Sequence, residues 1–328
     1  MSCRDAKELI RKLKSISKTL NVLLNAFKSR SFNPGKYKSG GSELGYGKRN
    51  KHLKRTALLI VALIIFLIGG DADADSFELG AHSGYGVIKY DEDTDAFGSK
   101  IEAETSLDTV LLGVSGEYYF AGLKNFFAGI TTDWALGLKD VEKWREDNIE
   151  KQTNDISIFG QFYDFRLGYS NSLKNLYYRL YVSGGWDGMH FRRKNFVKNG
   201  VALSSATITE DFSLWKTGGG IGLGYKLGKW ALNGRAAFAY YFDGDVRNSN
   251  NEGMWFDTNG TSLDMGVGIE REITRDINLS LGGGYKLVKL DESEIKPNMT
   301  QSGKMVDTVF PWSKTRIMVG VVNLTYAF

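Results

Sequence analysis

Apolar side chains recur at every second position over ten stretches of this chain, and a two-residue period admits strands with two unlike faces and little else. The stretches lie near 76 to 90, 106 to 120, 126 to 139, 156 to 170, 176 to 191, 212 to 227, 230 to 243, 260 to 272, 277 to 289 and 315 to 328. In the third, Phe126, Ala128, Ile130, Trp134, Leu136 and Leu138 alternate with Gly129, Thr131, Asp133 and Gly137. In the seventh, Trp230, Leu232, Ala236, Phe238, Tyr240 and Phe242 oppose Asn233, Arg235 and Asp243. The last stretch sets Met318, Gly320, Val322, Leu324, Tyr326 and the terminal Phe328 against Asn323 and Thr325. Each is long enough for a tilted strand to cross a bilayer, which takes about 9 to 11 residues.

The connections alternate in length. Short ones lie at 121 to 125, 171 to 175, 228 to 229 and 273 to 276, and long ones near 91 to 105, 140 to 155, 192 to 211, 244 to 259 and 290 to 314. This predicts an all-β fold, a ten-stranded antiparallel transmembrane β-barrel with short periplasmic turns, long extracellular loops and both mature termini on the periplasmic side. The loops at 192 to 211 and 290 to 314 are long enough to hold a further hairpin each. A soluble β-sandwich would alternate as well, but it explains neither the loop lengths nor the amino-terminal segment. Aromatic residues gather near strand ends, as in Tyr118, Tyr119, Phe120, Phe126 and Phe127, and suit an interfacial girdle. After residue 74 only Pro297 and Pro311 occur, both in one predicted loop, as a chain of paired strands requires.

Lys51, Lys54 and Arg55 precede the apolar run from Ala57 to Ile68, followed by Gly69, Gly70 and Ala72-Asp73-Ala74. The run is too short for a spanning helix and reads as a secretory signal over 53–74, cleaved after Ala74. Residues 1–52 form an amino-terminal extension that is untranslated or disordered, and 75–328 form the barrel. Residues 1–74 hold 15 Lys/Arg against 5 Asp/Glu, a net +10, leaving 27 against 33, a net −6, for the exported part. The basic balance belongs to the leader, so charge gives no reason to expect a nucleic-acid partner. The single cysteine, Cys3, is also upstream, so the exported part has no disulfide and no thiol metal site.

With the apolar parity toward lipid, the opposite parity lines the lumen with Glu78, His82, Glu117, Asp133, Asp164, Arg166, Arg179, Asp187, Lys216, Lys226, Arg235, Asp264, Glu270 and Lys286. Mixed signs in a narrow barrel fit either a network of paired charges or a path for small solutes. Glycines share this parity, including Gly80, Gly84, Gly86, Gly218, Gly220, Gly222, Gly224, Gly282 and Gly284, where absent side chains make room for long ones opposite. The Gly218–Gly224 series lies within a strand and opens no helix, so it is not a nucleotide loop. Beyond residue 74 the histidines are His82 and His190, too few for an imidazole metal site. Asp187 and His190 are three apart and point to opposite faces of a strand. No cofactor and no metal are expected.

The carboxyl-terminal strand, ending on Phe328 with Tyr326 two residues before, resembles the signal of Gram-negative outer-membrane proteins that is read by the barrel-assembly machinery. Ten strands, five large loops and that ending resemble the omptin family of outer-membrane proteases. The resemblance implies an acidic pair on one side of the extracellular rim and an Asp-His pair on the other. Asp140 and Glu142, in Asp140-Val141-Glu142-Lys143-Trp144, match the position of the acidic pair. The loop after the seventh strand, Asp243 to Asp257, carries acids but no histidine, and without that base a water lacks an acceptor suited to neutral pH. The chain also resembles the omptin-shaped, porin-like outer-membrane proteins of chlamydia-like bacteria. These readings predict a non-enzymatic protein of the Gram-negative outer membrane, in contact with its lipid and lipopolysaccharide. Its role is porin-like passage of small solutes or binding of a surface ligand by the loops. The alternative is an omptin-type protease or a lipid hydrolase at the rim.

Overall fold

A computed structural model describes residues 76–123, 125–204, 206–249, 254–299 and 305–328. The extension and the signal expected upstream lie outside them. The strands are β1 (Ser76–Thr94), β2 (Ile101–Tyr119), β3 (Phe126–Glu146), β4 (Ile149–Leu173), β5 (Leu176–Lys198), β6 (Val201–Ser204), β7 (Ile208–Leu227), β8 (Trp230–Asn248), β9 (Trp255–Glu272), β10 (Ile277–Leu290), β11 (Lys296–Met299), β12 (Met305–Thr308) and β13 (Trp312–Ala327). Ten of them form a continuous antiparallel ring, β1-β2-β3-β4-β5-β7-β8-β9-β10-β13. It returns on itself where β13 pairs with β1, from Glu78↔Ala327 to Asp93↔Trp312. A ring leaves no unpaired edge for lipid to meet, the condition under which strands can cross a membrane.

At one end the strands are joined by short turns, with Asn125, Lys174 and Gly228 at positive φ. At the other they run on well past the stretches the alternation marks. β3 and β4 meet through Asp147 (φ 49°) and Asn148 (φ 65°), and β5 turns into β6 through Asn199 (φ 51°) and Gly200 (φ 79°). These are two-residue hairpin turns with both central residues left-handed, for which Asn, Asp and Gly are suited. Thus 140 to 155 is almost entirely strand, β6 pairs with the top of β5, and β11 and β12 pair as a separate hairpin within 290 to 314.

The outward parity shows why the ring has two halves. Toward the short turns it carries Leu79, Tyr85 and Val87 on β1, Val114 and Leu112 on β2, Leu232, Phe238 and Phe242 on β8, and Val322, Leu324 and Tyr326 on β13. Toward the long hairpins it turns charged, with Lys89, Asp91 and Asp93 on β1, Asp108, Glu104 and Glu102 on β2, and Arg316 and Lys314 on β13. The inward parity does the reverse. It is polar and glycine-rich behind the apolar belt and apolar behind the charged one, where eighteen side chains from all ten ring strands and the 309–311 segment make one buried core. Register shifts lie near the changeover, at Gly137/Asp140, Trp215/Lys216 and Tyr241/Gly244. There a bulge re-aims side chains and adds twist.

Candidate functional site

The strand register places Glu78, His82, Glu117, Asp133, Asp164, Arg166, Arg179, Asp187, Lys216, Arg235, Asp264, Glu270 and Lys286 on the inward parity. Lys226, opposite Ala231, shares it. They do not form one cluster. At the short-turn end Arg179 holds Glu117 at 2.7 Å, the Tyr119 hydroxyl donates to Glu117 at 3.0 Å, and Arg166 donates to Thr131 at 2.5 Å. Glu78 lies opposite Glu117, and Asn233 donates to Glu270 at 3.0 Å. At mid-belt the pairs are His82 with Asp133 at 2.6 Å and Arg235 with Asp264 at 3.4 Å. A Cβ at Gly113 would collide with both His82 and Asp133, so the glycine is the space that pair occupies. Arg235 points inward and still has 53% of its side chain accessible, so it stands in a hollow within the wall.

Above this, Lys216 bridges Asp164 and Asp187, both at 2.8 Å, Lys286 reaches Asp187 at 3.0 Å, and the Tyr241 hydroxyl donates to Asp187 at 2.6 Å. Asp187 is fully buried. The ammonium of Lys286 lies 4.2 Å from the centre of the Phe162 ring, which belongs to the apolar core. The core therefore begins where these charges end: Ile88, Leu107, Ile158, Met189, Leu214 and Ile317 stand inward from six different strands, none more than 5% exposed.

Beyond the apolar belt is a second buried charged cluster. Arg193 of β5 holds Glu142 of β3 in a forked contact at 2.8 and 3.0 Å, Glu210 of β7 at 2.8 Å, and Glu92 of β1 at 3.5 Å. Trp144 and Asn154 donate to Glu142 at 3.1 and 2.9 Å, and the Tyr90 hydroxyl donates to Glu92. Burial pushes the Glu92 carboxyl up to about 8, with Glu210 and Glu142 adding to the rise and Arg193 opposing it. Burial alone would make the Arg193 guanidinium easier to deprotonate, but Glu142, Glu210 and Glu92 outweigh it and hold its proton more tightly than usual. Nearer solvent, the Glu104 carboxyl is drawn below its ordinary range by its bond to Arg145, and that of Asp155 by its bond to Lys139.

The two rim acids are thereby separated. Glu142 is fully buried and spent on Arg193, whereas Asp140 is exposed and accepts the Val141 N–H at 2.7 Å. His190 is outside the ring, paired with Asp211 at 2.6 Å, away from both Asp140 and the inner clusters in orientation. Sequence reasoning missed Glu92, Arg193, Glu210, Tyr90 and Tyr241. Their signal was parity: Glu92 continues the inward series of Glu78 and His82, Arg193 that of Arg179 and Asp187, and Glu210 that of Lys216. Among the described residues, no group of three or more His, Cys, Asp or Glu is arranged to hold a metal ion.

No family model and no curated protein matches the sequence. The fold matches the outer membrane protease OmpT from Escherichia coli with a TM-score of 0.59 at 9% identity, over 78% of this chain and 97% of that one. A major outer membrane protein from Thermus thermophilus matches at 0.36 and 12% identity, over 78% and 100%. The translocator domain of the autotransporter NalP from Neisseria meningitidis matches at 0.31 and 12% identity, over 85% and 97%. The ring has the shape of the omptin barrel, and at this identity the likeness extends to the fold alone.

Proposed function

We propose that the chain is a non-enzymatic outer-membrane barrel of a Gram-negative bacterium, closed to solutes, whose extracellular hairpins serve as a binding surface. One observation carries this reading: every ring strand sends at least one buried apolar side chain into a single core above the polar lumen. A hydrated path needs polar walls along its whole length, and a packed apolar layer bars water and ions alike. The inward charges of the belt then act as a network that keeps the membrane half of the wall together, because charges at that depth need partners or water. Reinforcing this, the extracellular half is folded as rigid strand, the kind of scaffold that presents a surface reproducibly.

A protease at the rim has less support. Glu142 is bound to Arg193 and is not free to act with Asp140, and His190 faces outward, paired with Asp211. The strand ending in Phe328 is taken as the segment that delivers the barrel to its assembly machinery, with lipid and lipopolysaccharide against the belt. Purified barrel in planar bilayers is expected to give no stepwise conductance. Discrete steps proportional to salt would overturn the closed-lumen reading. Cleavage of basic peptides or lipid A, lost in Asp140→Ala, would overturn the non-enzymatic one.

A further inference from the structure

We infer that the partner of the hairpin surface is a second copy of this chain, met tip to tip from an apposed membrane. The inference rests on the reading of the hairpin end as the binding surface. Three neighbouring tips form a row: β1–β2, β3–β4 and β5–β6. The Asp147 N–H bonds the Lys100 carbonyl at 2.9 Å, and the Asn199 N–H bonds the Lys151 carbonyl at 3.2 Å, so the row is held by the backbone. Each tip carries apolar side chains left exposed among the described residues: Phe97 is 49% exposed, Ile149 61%, Val201 65% and Leu203 54%. Apolar groups grouped at the far end of a structure, beyond a charged belt, mark a contact surface.

Charge along the row selects the occupant. The first tip, residues 93–102, holds Asp93, Asp95 and Glu102 against Lys100, a net −2. The third, residues 194–203, holds Lys194 and Lys198 with no acid, a net +2. The middle tip lies between them. A two-fold axis through that middle tip would set acidic tip against basic tip twice over, bring Ile149 against its counterpart, and put Phe97 opposite Val201 and Leu203. Such self-complementarity is what an isologous interface requires. An anionic lipid surface would suit the third tip and be repelled by the first. A strongly basic or acidic partner would likewise gain at one end of the row and lose at the other.

The experiment uses the barrel in lipid vesicles, with clustering followed by light scattering. Wild-type vesicles should cluster and disperse as salt is raised, because exposed charges are screened beyond about 10 Å at 0.1 M. Lys194→Glu with Lys198→Glu makes both outer tips acidic, and Asp93→Lys with Asp95→Lys makes the first tip basic like the third. Each variant alone should lose clustering, and an equal mixture of the two should regain it, which no defect in folding could produce. Dispersed wild-type vesicles, variants that cluster like wild type, or a mixture that stays dispersed while both variants keep a strand-type circular dichroism spectrum would each overturn the inference. A barrel that neither conducts nor clusters removes self-association and leaves the closed lumen standing, whereas a conducting barrel removes the parent reading.

Discussion

A single guanidinium, that of Arg193, serves three carboxyl groups drawn from three different strands, all of them buried. Removing one partner of such a group leaves charge uncompensated in a poorly solvated place, which costs about 3–5 kcal/mol. Arg193→Met is therefore expected to lower the stability measured by urea unfolding in lipid by that amount, while Arg192→Met, its neighbour on the outer face, should cost less than about 1 kcal/mol. Glu92 gives the cluster a pH dependence. Its folded value, about 8, is above its ordinary 4.5. Its contribution is therefore full below about pH 4.5, is lost as pH rises toward 8, and changes no further above that. Glu92→Gln should flatten the stability profile between these limits and leave the acid limb in place. An unchanged slope in the variant would assign the pH dependence elsewhere. These residues escaped the sequence reading because apolar-means-outward holds only within the belt. Once the outer face turns charged, Tyr90 and Ile88 change sides of the argument though not of the strand.

The same inversion decides how far the strands reach. Alternation found the ten crossings because each keeps one phase for about a dozen residues, but it lost β2 before Ser106 and β4 before Ile156, where apolar Ala103 and Ile156 are inward and Glu104 and Asp155 outward. The hairpin turns were legible in principle: Asp147-Asn148 and Asn199-Gly200 are strong two-residue turn pairs flanked by such inverted strands. The 291–311 connection has no such signal, since its contribution is one side chain. Phe310 stacks on Phe212 and Phe256 at centroid distances of 5.7 and 6.3 Å, is 1% exposed, and is the core's only described member outside the ring strands. The Phe310 N–H and the Ser293 N–H tie the connection to itself. Phe310→Ala should cost about 3–5 kcal/mol and release this connection to limited proteolysis. Loss of stability without new cleavage would show that the backbone ties, and not the ring, hold it down.

Seen as one body, the molecule joins two opposite solutions to the burial problem along a single set of strands. In the belt lipid accepts the apolar face, so the interior is free to be polar. Above it water accepts the charged face, so the interior can pack apolar side chains beside the buried Arg193 cluster, and on the proposed reading that packed core is also what closes the lumen. Closure is on this view a consequence of the length of the strands: a barrel of this width that continues far into water has nothing but its own interior in which to hide apolar surface. The belt itself can be located by substitution. An arginine at Val267, outward and 71% exposed at mid-belt on β9, meets hydrocarbon and should cost about 2–4 kcal/mol. The same arginine at Ser106, outward on β2 beyond the changeover, meets water and should cost less than about 0.5 kcal/mol. Unfolding in lipid vesicles measures both. Equal penalties would mean that the polarity change on the outer wall does not mark the edge of the hydrocarbon, and the division into a membrane half and an aqueous half would have to be redrawn.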